Sequence, residues 1–185
     1  MTARAVAAPL AHVPNALTVL RLLLIPVFVA VLFAADGGHS WPAGIIFGVA
    51  GITDQVDGFL ARRWHVESRF GRVADPLADR LMIDAAVILL WLEGRLPWAA
   101  LALILARDLL LIAGYKLLEP RGYELNVNLL GKLATWVLYA ALAFTIVTRD
   151  GTDWPLWLFW TGLALALAAG AAYCVTAART VRRTA

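Results

Sequence analysis

Six apolar runs of about 20 residues, joined by short polar connections, constrain this chain more than any other feature. They extend from about Asn15 to Phe33, Trp41 to Arg62, Phe70 to Leu92, Pro97 to Leu118, Val127 to Val147 and Trp154 to Ala178. A helix needs roughly 20 residues to cross about 30 Å of hydrocarbon. Buried core helices and re-entrant segments are the alternatives. Both would need polar sequence to coat a soluble surface, and little is left over. The chain is 62% hydrophobic and 16% charged, against about 25% charged in an ordinary soluble domain. The pattern predicts an all-α, polytopic membrane protein with a six-transmembrane-helix bundle over residues 14–178. Residues 1–13 read as a flexible or interfacial segment and 179–185 as a basic tail. Pro26 falls inside the first run, which a membrane helix tolerates when neighbours satisfy the freed carbonyl. That run continues too far for a secretory signal and is expected to be retained.

Basic residues sort to one side of this bundle. With the amino terminus placed in the cytoplasm, Arg4, Arg62, Arg63, Arg69, Arg72, Lys116, Arg121, Lys132, Arg179, Arg182 and Arg183 fall on or near the cytoplasmic side, and Arg21, Arg80 and Arg107 in the cytoplasmic half of their spans, whereas Arg95 and Arg149 face the other way. This is the positive-inside pattern, so both termini are expected in the cytoplasm of a cell's plasma or inner membrane. Trp41, Trp98 and Trp154 open runs on the opposite side, where an indole suits the headgroup level. The net charge of +3 is too small and scattered to suggest nucleic-acid binding. Cys174 is the single cysteine, so no intrachain disulfide can form.

The chemistry concentrates where the second run meets the third, in DQVDGFLARRWHVESRFGRVADPLAD, residues 54–79. A carboxylate near hydrocarbon costs about 2.5–3.5 kcal/mol at a helix centre, yet Asp54, Asp57, Asp75 and Asp79 lie here. On helices, Asp54 and Asp57 share one face about 60° apart, and Asp75 and Asp79 share another about 40° apart. The intervening connection makes the two helices antiparallel neighbours, so both pairs fall at one depth. Like charges disfavour one another's ionisation, and hard divalent cations remedy that by accepting carboxylate oxygens. Four carboxylates suffice for two Mg²⁺ or Mn²⁺ ions, the arrangement that serves displacement at phosphorus. Gly58, Ala61 and Gly71 are narrow positions that would admit a phosphate or nucleobase between helices, although close packing alone also uses small residues. Arg62, Arg107 and Lys132 supply basic groups at cytoplasmic depths. Salt-bridging to Asp108 or Glu119 is the alternative for Arg107, and snorkelling to the interface is the alternative for Lys132. Asp84 lies about 140° round the helix from Asp79 and is expected to make a polar contact with another span or with a second subunit instead.

The segment Asp54-Gln-Val-Asp57-Gly58-Phe-Leu-Ala61-Arg62 followed by Gly71-Arg-Val-Ala-Asp75-Pro-Leu-Ala-Asp79 resembles the signature of the CDP-alcohol phosphatidyltransferase family at every defining position. Pro14-Asn-Ala-Leu-Thr18-Val-Leu-Arg21, Ala106-Arg107-Asp108 and Gly131-Lys132 are similar to segments of the branch containing bacterial phosphatidylglycerophosphate synthases. The resemblance implies a six-helix membrane enzyme, commonly a homodimer, with its site facing the cytoplasm. It implies transfer of a phosphatidyl group from CDP-diacylglycerol to glycerol 3-phosphate. Asp54, Asp57, Asp75 and Asp79 would hold two divalent ions, with Asp79 also the catalytic base. Gly58, Ala61, Arg62 and Thr18 would belong to the nucleotide pocket, and Arg107 and Lys132 would contact the acceptor phosphate. One position departs from that branch: its members often carry a second lysine where this chain has Ala134. Phosphatidylglycerol, as in cardiolipin synthases of the family, and inositol phosphate therefore stay open as acceptors. A divalent-cation transporter is the rival from another class, but it would need carboxylates along a path near mid-membrane.

Overall fold

The computed structural model describes residues 13–64, 69–118 and 129–184, with side chains described for 16–35, 37–53, 80–110 and 129–172. The described residues form six α-helices: α1 (Val13–Phe33), α2 (Trp41–Trp64), α3 (Arg69–Leu92), α4 (Trp98–Leu118), α5 (Leu129–Val147) and α6 (Trp154–Thr184). Their starts follow local chemistry. The Ser40 hydroxyl accepts from the Ala43 amide at 3.2 Å, capping α2. Pro97 and Asp153 offer carbonyls to the first turns of α4 and α6. Trp41, Trp98 and Trp154 are all exposed at these three starts, as their expected place at a headgroup boundary requires. α6 continues past the apolar run to Thr184, because Ala177, Ala178 and the arginines that follow are good helix formers and cations favour a helix C-terminus.

The protein is an all-α, polytopic membrane protein. Ala16–Phe33, Leu129–Val147 and Trp154–Ala172 are long and apolar enough to cross a bilayer. α2, α3 and α4 are as long, and the polar residues of the site fall on them.

α1 packs against α2 and α3, α2 also against α5, and α5 most extensively against α6. The core runs through Phe28 of α1, Phe47 of α2 and Tyr139 of α5, with ring centroids 5.5 Å and 5.1 Å apart. Close approach makes these contacts possible. A Cβ at Gly51 would stand 2.9 Å from the Tyr139 ring, and one at Gly44 would stand 2.3 Å from Val147. On the other side of α5, a Cβ at Gly162 would meet the Leu138 backbone nitrogen at 3.0 Å. Small residues at such crossings let helices gain packing where lipid supplies no hydrophobic drive.

The turns before α2, α4 and α6 lie together at one end of the bundle. α3 ends on Gly94 at φ 72°, a left-handed position where a glycine avoids the Cβ penalty. This places Arg95 against the C-terminus of α5. Its Nη2 donates to the carbonyls of Thr145 at 2.9 Å and Thr148 at 3.0 Å, and its Nη1 donates to Gly37 O at 3.3 Å. Asp150 Oδ1 lies 3.6 Å from Nε. One buried guanidinium thus ties three turns and satisfies carbonyls a helix end leaves orphaned. Arg95→Ala should cost about 2 kcal/mol of stability, the price of stranding those acceptors. Arg95→Lys should recover only part, since an ammonium lacks the planar fork. An unchanged thermal midpoint in detergent for Arg95→Ala would show that the turns hold without it.

Candidate active site

The acidic residues fall on two consecutive helices that touch. Asp54 and Asp57 are in the second half of α2, and Asp75 and Asp79 are in the first half of α3. The structure supports the helical backbone on which their shared faces were expected. The side chains of these four, and of Gly58, Ala61, Arg62 and Gly71, lie outside those described. Among the residues whose side chains are described, no three metal-ligating groups converge. As a donor set, four carboxylates at helical spacings on adjacent helices match the hard oxygen ligands that Mg²⁺ or Mn²⁺ takes.

Thr18 and Arg21 form the polar beginning of the α1 stripe that continues through Phe28 and Leu32. They are 1% and 0% exposed, and Arg21 heads the largest fully buried side chains. At about 1.5 Å per residue, Arg21 lies roughly 18 Å along α1 from its end at Phe33, and Thr53 lies about as far along α2 from its start. By that count the backbone of Arg21 on α1 lies at a depth similar to that of Thr53 and Asp54 on α2. From sequence, Arg21 counted toward orientation and as part of the Pro14–Arg21 segment, without a role at the site. Its spacing of three from Thr18, which puts both on one face, was the signal available.

A second polar layer joins α3 to α4. Asp108 Oδ1 accepts hydrogen bonds from Arg80 Nη1 of α3 and from Arg107 Nη1 of α4, the latter at 2.9 Å. Asp108 is 4% exposed. Asp84, one turn beyond Arg80, lies within electrostatic reach of all three. The ion pair considered for Arg107 is therefore present, whereas Asp84 feels the charges of Arg107 and Asp108 on α4 but its Oδ1 is buried without a hydrogen-bond partner among the described residues. Arg80 and Asp108 were missed as members of one cluster, because neither helix alone shows which faces meet. Lys132, in the first turn of α5, is exposed, whereas Ala134 is fully buried in the core. Thus the structure brings Thr18 beside Arg21 and Arg107 beside Asp108, and it leaves Lys132 on the surface of the bundle.

A sequence profile of the family described as CDP-alcohol phosphatidyltransferase matches residues 11–168. The chain belongs to the CDP-alcohol phosphatidyltransferase family. Within this phosphatidyltransferase family, it is 38% identical over 147 residues to a Mycobacterium tuberculosis (strain H37Rv) protein named "Probable phosphatidylglycerophosphate synthase", an overlap covering 78% of this chain and 70% of that one. It is 33% identical over 158 residues to the Escherichia coli (strain K12) "CDP-diacylglycerol--glycerol-3-phosphate 3-phosphatidyltransferase", covering 83% and 84%. The matched region spans α1 to about the middle of α6, so both polar layers belong to the part shared with the family.

Proposed function

We propose that this protein transfers a phosphatidyl group from CDP-diacylglycerol to glycerol 3-phosphate, releasing CMP. The observation that carries this reading is the four-aspartate spacing on α2 and α3, within a chain similar over most of its length to proteins named for that reaction. The oxygen of the acceptor hydroxyl forms a new bond to the β-phosphorus, the bond from that phosphorus to CMP breaks, and the hydroxyl proton passes to Asp79. Asp54, Asp57, Asp75 and Asp79 would hold two Mg²⁺ or Mn²⁺ ions, whose charge when bound offsets that of the diphosphate and departing CMP. Gly58, Ala61 and Gly71 leave room for the nucleotide, and Arg62 and Thr18 line its side of the pocket. Arg107 and Lys132 bind the acceptor phosphate, Lys132 by reaching inward from its exposed place on α5. Positioning and electrostatics thus carry most of the catalysis, as in phosphoryl transfer generally.

The helices form six crossings with both termini and the acidic layer on the cytoplasmic side of the plasma or inner membrane. The asymmetry of basic residues supports that orientation, as do the exposed tryptophans at the starts of α2, α4 and α6. A homodimer in the membrane is the expected assembly.

The deciding experiment offers radiolabelled CDP-diacylglycerol to purified protein with each acceptor in turn. Glycerol 3-phosphate should stimulate CMP release and yield labelled phosphatidylglycerophosphate. Stimulation by phosphatidylglycerol or inositol phosphate in its place would reassign the acceptor, and CMP release indifferent to any acceptor would reject the transferase reading.

A further inference from the structure

Arg107 and Asp108 are sequence neighbours, and neighbours on a helix point about 100° apart and do not normally face each other. Around them Ala106, Leu109 and Leu110 are exposed to the lipid side, while Asp108 is buried toward α3. An arginine in that place would ordinarily extend its head outward to the interface. Instead the Arg107 guanidinium turns in and donates from Nη1 to Asp108 Oδ1 at 2.9 Å. The same oxygen accepts from Arg80 across the helix interface. Asp84 supplies the second negative charge, so two arginines and two aspartates balance within an apolar bundle.

This balance leaves Arg107 partly unspent. A guanidinium has five N–H donors, and the Nε of Arg107 is buried with no acceptor among the described residues. A buried donor without a partner is costly unless something else supplies an oxygen. Because Arg80 also holds Asp108, that carboxylate stays paired if Arg107 shifts toward a ligand.

We infer that Asp108 is a positioning residue for acceptor binding: its carboxylate draws Arg107 inward from the lipid face and presents the remaining guanidinium donors to the phosphate of the acceptor alcohol. This rests on the transferase reading proposed above. Asp108 itself touches neither substrate nor the reacting atoms.

The test is steady-state kinetics in detergent with both substrates varied. Asp108→Asn should raise KM for glycerol 3-phosphate about 10-fold or more while kcat falls less than about 3-fold and KM for CDP-diacylglycerol stays within about 2-fold. Asp108→Glu, which keeps the charge but adds a methylene, should be the milder change. A packing role predicts the reverse order, because asparagine fits the space and glutamate does not. In an Arg107→Gln background, Asp108→Asn should add less than about 2-fold to KM, since the group it orients is gone. Full additivity, a more damaging glutamate, or an unmoved KM in Asp108→Asn would each overturn the inference while leaving the transferase reading intact. Wild-type protein that ignores glycerol 3-phosphate would remove both.

Discussion

Asp79→Asn is expected to lower acceptor-dependent CMP release by about 10³-fold or more, while binding of CDP-diacylglycerol changes only a few-fold. The asparagine keeps the size and one oxygen of the carboxylate but cannot take the acceptor's proton. A positioned base contributes about 10²–10⁴-fold on its own, and loss of a negative ligand adds to that. The contrast between turnover and binding is the informative part. If the substituted enzyme turned over at the wild-type rate with saturating Mg²⁺, Asp79 would not be the base. If binding collapsed together with turnover, its charge would matter mainly for holding the diphosphate.

Removing divalent cations is expected to have an effect of similar size. After treatment with a chelator, activity should fall below about 1% of the starting rate and return when Mg²⁺ or Mn²⁺ is restored. Asp54→Asn and Asp75→Asn should shift the metal concentration needed for half-maximal rate upward, because each removes one hard anionic donor. Binding of Mn²⁺ followed by paramagnetic resonance gives a readout independent of turnover. Full activity in the chelator would contradict a metal-assisted site, and the four carboxylates would then need another source of positive charge. Arg21, fully buried on α1, is the first place to look.

Much of the architecture was readable from residue order. Helix existence followed from run length, and the turns followed from the short polar connections between the runs. The placement of the acidic pairs on two consecutive helices followed as well. Less readable was the use of individual charges. Arg95 looked like a residue left on the wrong side of a charge pattern, yet it is buried and caps α5 from 50 residues away in sequence. Arg21 looked like a topology signal and is fully enclosed. Lys132 and Arg107 looked equivalent as basic groups, but one is exposed and the other is drawn inside.

The residue order determined a membrane bundle and two pairs of carboxylates at helical spacing, because hydrophobic length and helical period are local properties that need no partner to be expressed. Tertiary structure decided which buried charges meet. Arg80 reaches Asp108 across 28 residues only because α3 and α4 are rotated so that those faces adjoin. Comparable contacts elsewhere in the bundle depend on glycines such as Gly44, Gly51 and Gly162 allowing one helix to close on another. Rotation and closeness arise from packing between distant segments, and neither is written into the period of any single helix.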